Sequence, residues 1–229
     1  MASISSAVVL FGAAVIMAAI AMAGFWMWHR QLRRSGVADA IWPLVTAALA
    51  VFYANAGAGD GARRSAVAWM IGSWGARLAV HLLWVDVFGG EPDERRESLW
   101  HFERQALRAA FFSLPALFPS INAAPMLSPL ELTAAGIWLI GFSGETTADR
   151  QLVRWRRETA AAAEASDHDA VCRAGLWRYI PRAHDVFELV TWTGHALFAS
   201  ASPLGWLAVA CPLAVAFRFS TAGTARAQL

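Results

Sequence analysis

The sequence predicts an all-α fold, a polytopic transmembrane helix bundle of about seven spans. Apolar residues fill 57% of the 229 positions and charged residues only 16%, with a mean hydropathy of +0.42; average globular chains carry roughly a quarter charged residues. The apolar excess falls into blocks of membrane-spanning length, separated by arginine-rich stretches. Period-two alternation is missing from the long segments, which excludes a barrel. Two cysteines, Cys172 and Cys211, exclude a disulfide scaffold. A net charge of +2 lacks the basic face that a nucleic-acid partner requires.

The expected spans are 5–28, 38–56, 65–88, 106–122, 128–145, 184–201 and 203–219. Ala21-Met22-Ala23 imitates a leader-peptide cleavage site, but no basic residue precedes the first span, and Arg30, Arg33 and Arg34 follow it. That is the flank of a retained anchor. Pro115 and Pro119 kink or shorten the fourth span. Ser128-Pro129-Leu130-Glu131 starts the fifth: Ser caps, Pro fits the first turn, and Glu131 closes a capping box. Ser202-Pro203 makes a tight hairpin before the seventh, which Arg218 truncates. Residues 1–229 thus read as a single membrane-embedded domain with a cytoplasmic loop at 146–183.

Arginine sets the orientation, since the chain has nineteen Arg and no Lys. With the amino terminus outside, the inner loops hold Arg30, Arg33, Arg34, Arg95, Arg96, Arg104, Arg150, Arg154, Arg156, Arg157, Arg173, Arg178 and Arg182, and the outer loops only Arg63 and Arg64. Thirteen against two is a positive-inside bias. It places the carboxyl terminus in the cytoplasm of a multi-pass inner-membrane protein.

Ionisable groups inside spans are costly and are therefore candidate functional residues. Arg77 and His81 are four apart on one face of the third span; they suit a polar pocket wall that binds an anionic or carbonyl-bearing ligand. His184, Glu188, Thr191 and His195 form one helical stripe in the sixth. His195 lies two turns beyond Glu188, about 10 Å along the axis, too far to share an ion, so no metal is expected. In the long loop, arginines suit phosphates, and Trp and Tyr offer stacking faces.

Asp149-x-Gln151-Leu152, an Arg-rich stretch, Gly175-Leu176-Trp177-Arg178-Tyr179 and Glu188-x-x-x-Trp192-x-Gly194 together resemble the steroid 5-alpha-reductase family of membrane reductases, within it a bacterial branch. Asp39-x-x-Trp42 and Trp74-x-x-Arg77-Leu78-x-x-His81-Leu82 are similar to that branch as well, so the resemblance runs from about 30 to 219. It implies an oxidoreductase that uses NADPH to reduce a carbon–carbon double bond conjugated to a ketone in a lipid-like substrate, a steroid- or isoprenoid-like enone, with membrane lipids as its surroundings. Carried over residue by residue, it makes Glu145, Asp149, Arg156, Arg178, Tyr179, His184 and Glu188 cofactor-binding candidates, beside Arg77 and His81 as the catalytic pair. Asp149, Arg156, Tyr179, His184 and Glu188 are then expected to line one cavity.

Two departures qualify the resemblance. Ile180-Pro181-Arg182-Ala183-His184-Asp185 stands where the branch has Ser-Arg-His-Pro-Asn-Tyr, and the family's acidic, Tyr-containing tail is not found before Leu229. Two other readings share the architecture: a non-catalytic membrane protein that keeps the scaffold, and an enzyme like the isoprenylcysteine methyltransferases. Nothing in the sequence specifies an oligomer. Cysteine substitutions at Gly61 and Ala163 test the orientation: the 61 site is expected to react with an impermeant thiol reagent from outside and the 163 site only from within, and outside labelling at 163 inverts the topology.

Overall fold

The computed structural model describes residues 2–31, 34–87, 97–125, 127–162 and 172–226, and among them every regular element is helical. Eight α-helices follow in order: α1 (Ala2–His29), α2 (Val37–Ala56), α3 (Gly61–Leu82), α4 (Leu99–Phe112), α5 (Leu114–Ser120), α6 (Pro129–Ala162), α7 (Ala183–Ser200) and α8 (Ala210–Arg226). A π-turn at Leu83–Val87 ends α3, and 3-10 turns at Gly175–Arg178 and Gly205–Val209 precede α7 and α8.

Among the described residues, three stretches are long and apolar enough to cross a membrane: Ile4–His29, Val37–Ala56 and Gly61–Val85. Seven were expected, and the other four depart from the criterion for identifiable reasons. The fourth expected span is two helices, because α4 ends at Phe112 and α5 restarts at Leu114 with Pro115 in its first turn. The fifth is the first half of a 34-residue helix, α6, that runs on into Asp149, Arg150 and Arg154. The sixth, α7, carries His184, Asp185, Glu188 and His195. The last apolar stretch, Gly205–Thr221, is too short.

Four helix starts, those of α2, α3, α4 and α6, satisfy loose N–H groups with an identifiable side-chain acceptor. Ser128 and Glu131 form the capping box the sequence predicts: Glu131 Oε2 accepts the Ser128 N–H at 2.6 Å and Ser128 Oγ the Glu131 N–H at 3.3 Å. Asp60 caps α3 through the Arg63 N–H at 3.0 Å, and Ser98 caps α4 through that of His101 at 3.2 Å. α2 borrows its cap from a distant residue, with Glu97 accepting from Gly36 and Ala38, each at 3.2 Å.

α6 lies along α7, α2 along α3, and α1 across α2 and α4. Glycine allows the closest of these approaches. A Cβ at Gly194 of α7 would sit 2.6 Å from the backbone nitrogen of Trp138, and one at Gly75 of α3 would sit 2.3 Å from the carbonyl oxygen of Pro43. At the centre, Trp42, Trp74, Phe112 and Trp192 close a ring of contacts from α2, α3, α4 and α7, with centroids 4.5–5.7 Å apart.

α3 and α6 run parallel and are pinned at both ends. At the starts, Arg63 binds the fully buried Glu131 through Nε and through Nη2 at 3.1 Å, and its Nη1 donates to the carbonyls of Ala124 at 2.6 Å and Asn122 at 3.2 Å. Fourteen residues further along each helix, Arg77 meets Glu145. Arg63→Met is expected to cost about 3 kcal/mol, since it leaves a buried carboxylate without its cation. Arg63→Met with Glu131→Gln is expected to recover part of that loss, as read by thermal unfolding in detergent.

Candidate functional site

The charged site rests on the aromatic ring. Four helices each carry an aromatic residue and, three or four positions toward the arginine-rich end, a charged one: Trp42 and Asp39, Trp74 and Arg77, Phe112 and Arg108, Trp192 and Glu188. Helical spacing stacks each charge one turn above its ring. An apolar floor therefore lies beneath a polar layer, and the layer faces the end that the arginine bias assigns to the cytoplasm.

Arg77 anchors that layer. Its Nη1 donates to Asp149 Oδ2 at 2.6 Å, its Nη2 to the fully buried Glu145, and its guanidinium lies 5.7 Å from the centroid of Phe142. His184 Nδ1 donates to the other oxygen of Asp149 at 2.6 Å, and its Nε2 lies 3.9 Å from Glu188. Arg218 of α8 closes the chain by binding Glu188, while Thr191 Oγ1 reaches Glu145 at 3.4 Å. The result is one continuous network from α3 through α6 and α7 to α8. It opens to solvent on the α8 side, where the Arg218 side chain is 47% exposed.

Asp149 stands one turn beyond the apolar part of α6. Burial alone would raise its pKa, but the His184 hydrogen bond and the charges of His184, Arg77 and His81 overrule it and hold the carboxyl below its usual range.

Of the residues singled out from sequence, Arg77, Glu145, Asp149, His184 and Glu188 come together. Arg156 and Tyr179, expected in the same cavity as Asp149, His184 and Glu188, are instead exposed. Arg178 is exposed beside Tyr179, its guanidinium 5.7 Å from that ring. The motif around them has a local purpose. Gln151 Oε1 accepts the Leu176 N–H at 2.8 Å, and Trp177 Nε1 donates to the Ala148 carbonyl at 3.0 Å, so the 3-10 turn is docked on α6. His81 lies apart from the network, in an outward groove with Trp84 and Arg150.

Two cations were missed. Arg218 reads in the sequence as a residue that ends a span, and nothing local ties it to Glu188. Arg108 sits 3.9 Å above the Trp42 ring, and among the described residues no carboxylate is bonded to it. Its four-residue spacing from Phe112 matches that of Glu188 from Trp192 and is the one signal that points to it.

The altered 180–185 stretch makes its own clamp. Arg182 adopts a left-handed φ of 58°, donates to Asp185 and to the Phe219 carbonyl, both at 2.7 Å, and lies 4.1 Å from the Phe219 ring. These contacts tie the start of α7 to α8.

Three groupings have metal-ligand spacing: Asp39 with Glu97 and His101, Glu145 with Asp149 and His184, and His184 with Asp185 and Glu188. Guanidinium groups already engage Glu145, Asp149, Asp185 and Glu188. In the first grouping, Arg104 lies 2.8 Å from His101 Nδ1. Arginine only donates, so the ring proton belongs on Nε2, the atom that faces Asp39 and Glu97. All three are better described as ion-pair and capping networks.

A carboxylate held below its ordinary range stabilises the fold above that range, and the contribution is lost as pH falls through the folded value. Asp149→Asn is therefore expected to lower the thermal midpoint clearly at about pH 7 and progressively less toward about pH 3. Circular dichroism melts of both proteins across that range check it; an equal deficit at every pH would contradict the assignment.

Residues 25–227 match the model of a family described as a protein of unknown function, DUF1295. No curated protein and no solved structure matches the chain. With nearly the whole sequence inside that match, the chain belongs to the DUF1295 family.

Proposed function

We propose that this protein is a membrane-embedded, NADPH-dependent reductase of a carbon–carbon double bond in a lipid-soluble enone, related to the steroid 5-alpha-reductases. In this reading the bundle crosses the inner membrane seven times, with α4 and α5 together making the fourth passage and the carboxyl terminus in the cytoplasm. The observation that carries it is the network of Arg77, Glu145, Asp149, His184, Glu188 and Arg218 above an aromatic floor, which joins residues from the Trp74–Arg77, Asp149 and Glu188 motifs of the resemblance.

The donor set suits a dinucleotide. Phosphates need cations that are not already neutralised, and Arg108, Arg156 and Arg178 have no carboxylate bonded among the described residues. The carboxylates of Asp149 and Glu188 can accept from a carboxamide. The cofactor supplies hydride when bound. The protein's part is to orient it, to keep water from the apolar floor, and to hold a proton. His184 is placed to hold that proton, being partly exposed and hydrogen-bonded to Asp149. Arg77, with both terminal nitrogens on carboxylates, serves better as a positioning residue than as the group that polarises the carbonyl.

A second reading, a scaffold protein without catalysis, is favoured by the pairing of Arg77 and Arg218 with acids of the same chain. Titration calorimetry separates the two. NADPH is expected to bind folded protein in detergent, and Arg108→Gln and Arg156→Ala are each expected to weaken binding about tenfold, the loss of one charge-assisted contact. No heat at high micromolar NADPH from a folded sample leaves the scaffold reading.

A further inference from the structure

We propose that the groove between the end of α3 and the outer half of α6 is a binding site for an anionic phospholipid, with its head phosphate held by Arg150, Arg154 and Arg157. The groove encloses about 550 Å³ and is separate from the network around Arg77. Its size falls in the range of small-molecule sites, enough for a headgroup and the start of a chain.

The two walls differ in chemistry. Arg150, Arg154 and Arg157 fall at i, i+4 and i+7 on α6 and share one face, with Val153 between them. Opposite stand Val80, His81, Trp84 and Val85 of α3 and its π-turn. Arg157 lies 5.4 Å from the Trp84 ring, so its charge overhangs the apolar wall. Arg154 binds Glu158 at 2.7 Å through Nε, which leaves its terminal nitrogens to other partners. Arg150 and Arg157 have no carboxylate bonded among the described residues. Three guanidinium groups against one acid, Glu158, among the described lining residues leave an excess of positive charge that suits an anion.

The apolar wall selects a lipid over a soluble phosphate. Val80 is 63% and Trp84 64% exposed, and both belong to Gly61–Val85, a stretch able to cross a membrane. Exposed apolar surface continuous with a spanning helix is where acyl chains lie, and Trp marks the headgroup level. Arginines immediately beyond that level meet the phosphate of an anionic lipid.

Native mass spectrometry of the full-length protein, titrated with phosphatidylglycerol or phosphatidylcholine, tests this. Phosphatidylglycerol is expected to be retained preferentially. The triple variant Arg150→Gln, Arg154→Gln, Arg157→Gln is expected to lose that preference by about tenfold or more, while Arg30→Gln with Arg173→Gln, two exposed arginines elsewhere, keeps it. Should the triple variant fail to fold by circular dichroism, Arg150→Gln alone is expected to weaken retention about threefold. An unchanged preference in the folded variants overturns the site, and an equal loss in the Arg30 and Arg173 control shows general surface charge instead. Displacement of phosphatidylglycerol by millimolar inorganic phosphate overturns the lipid assignment in favour of a soluble phosphate.

Discussion

The guanidinium of Arg77 is the point on which the arrangement depends. A charge within an apolar bundle is tolerated only when it is paired and hydrogen-bonded, and Arg77 meets that demand with two acids from one helix, Glu145 and Asp149. Those acids recruit the rest, since Asp149 fixes His184, and Glu145 is reached by Thr191 of α7. α7 presents Glu188 one turn from His184, and Glu188 brings in Arg218. One partly buried cation thus links residues from four helices.

Much of this was legible in the sequence, and the limits have physical causes. The helical class follows from block-wise hydropathy, and the α6 start was readable because a capping box is local in sequence. Arg77 and the four residues that assemble around it, Glu145, Asp149, His184 and Glu188, were reachable through their motifs. The partners across 68 and 30 residues, Glu131 for Arg63 and Arg218 for Glu188, were not, because no local pattern encodes which distant charge a helix will meet. Arg156 and Tyr179 were placed in the cavity by motif order, but α6 is a single continuous helix past Asp149, and its turn carries Arg156 out to solvent. Only three of the seven expected spans stand out by length and apolarity among the described residues, in part because the charges of α6 and α7 lower the hydropathy by which a span is recognised.

The core holds a second polar feature that pairing does not resolve. His195 is fully buried beside Trp192 and Trp138, with centroids 5.1 and 6.2 Å away, and neither of its ring nitrogens has a partner among the described residues. The indole nitrogens of Trp74, Trp138 and Trp192 share that condition. Unsatisfied donors so close together weaken the floor beneath the charged layer relative to an all-aliphatic one. The floor is thereby adapted to shape and polarity more than to stability.

The matched intervals on α3 and α6 restrict how the bundle can move. Arg63 to Arg77 and Glu131 to Glu145 each span fourteen residues, about 21 Å of helix. A one-turn piston stroke of about 5.4 Å would break the Arg63–Glu131 pair, since no acid lies one turn from Glu131 to take its place, whereas Arg77 would pass between Glu145 and Asp149. Sliding is thus opposed at the Arg63 pair, while tilting about either pair is not. Because α7 packs closely on α6 through Gly141, Gly144 and Gly194, a tilt of α6 against α3 carries α7 with it.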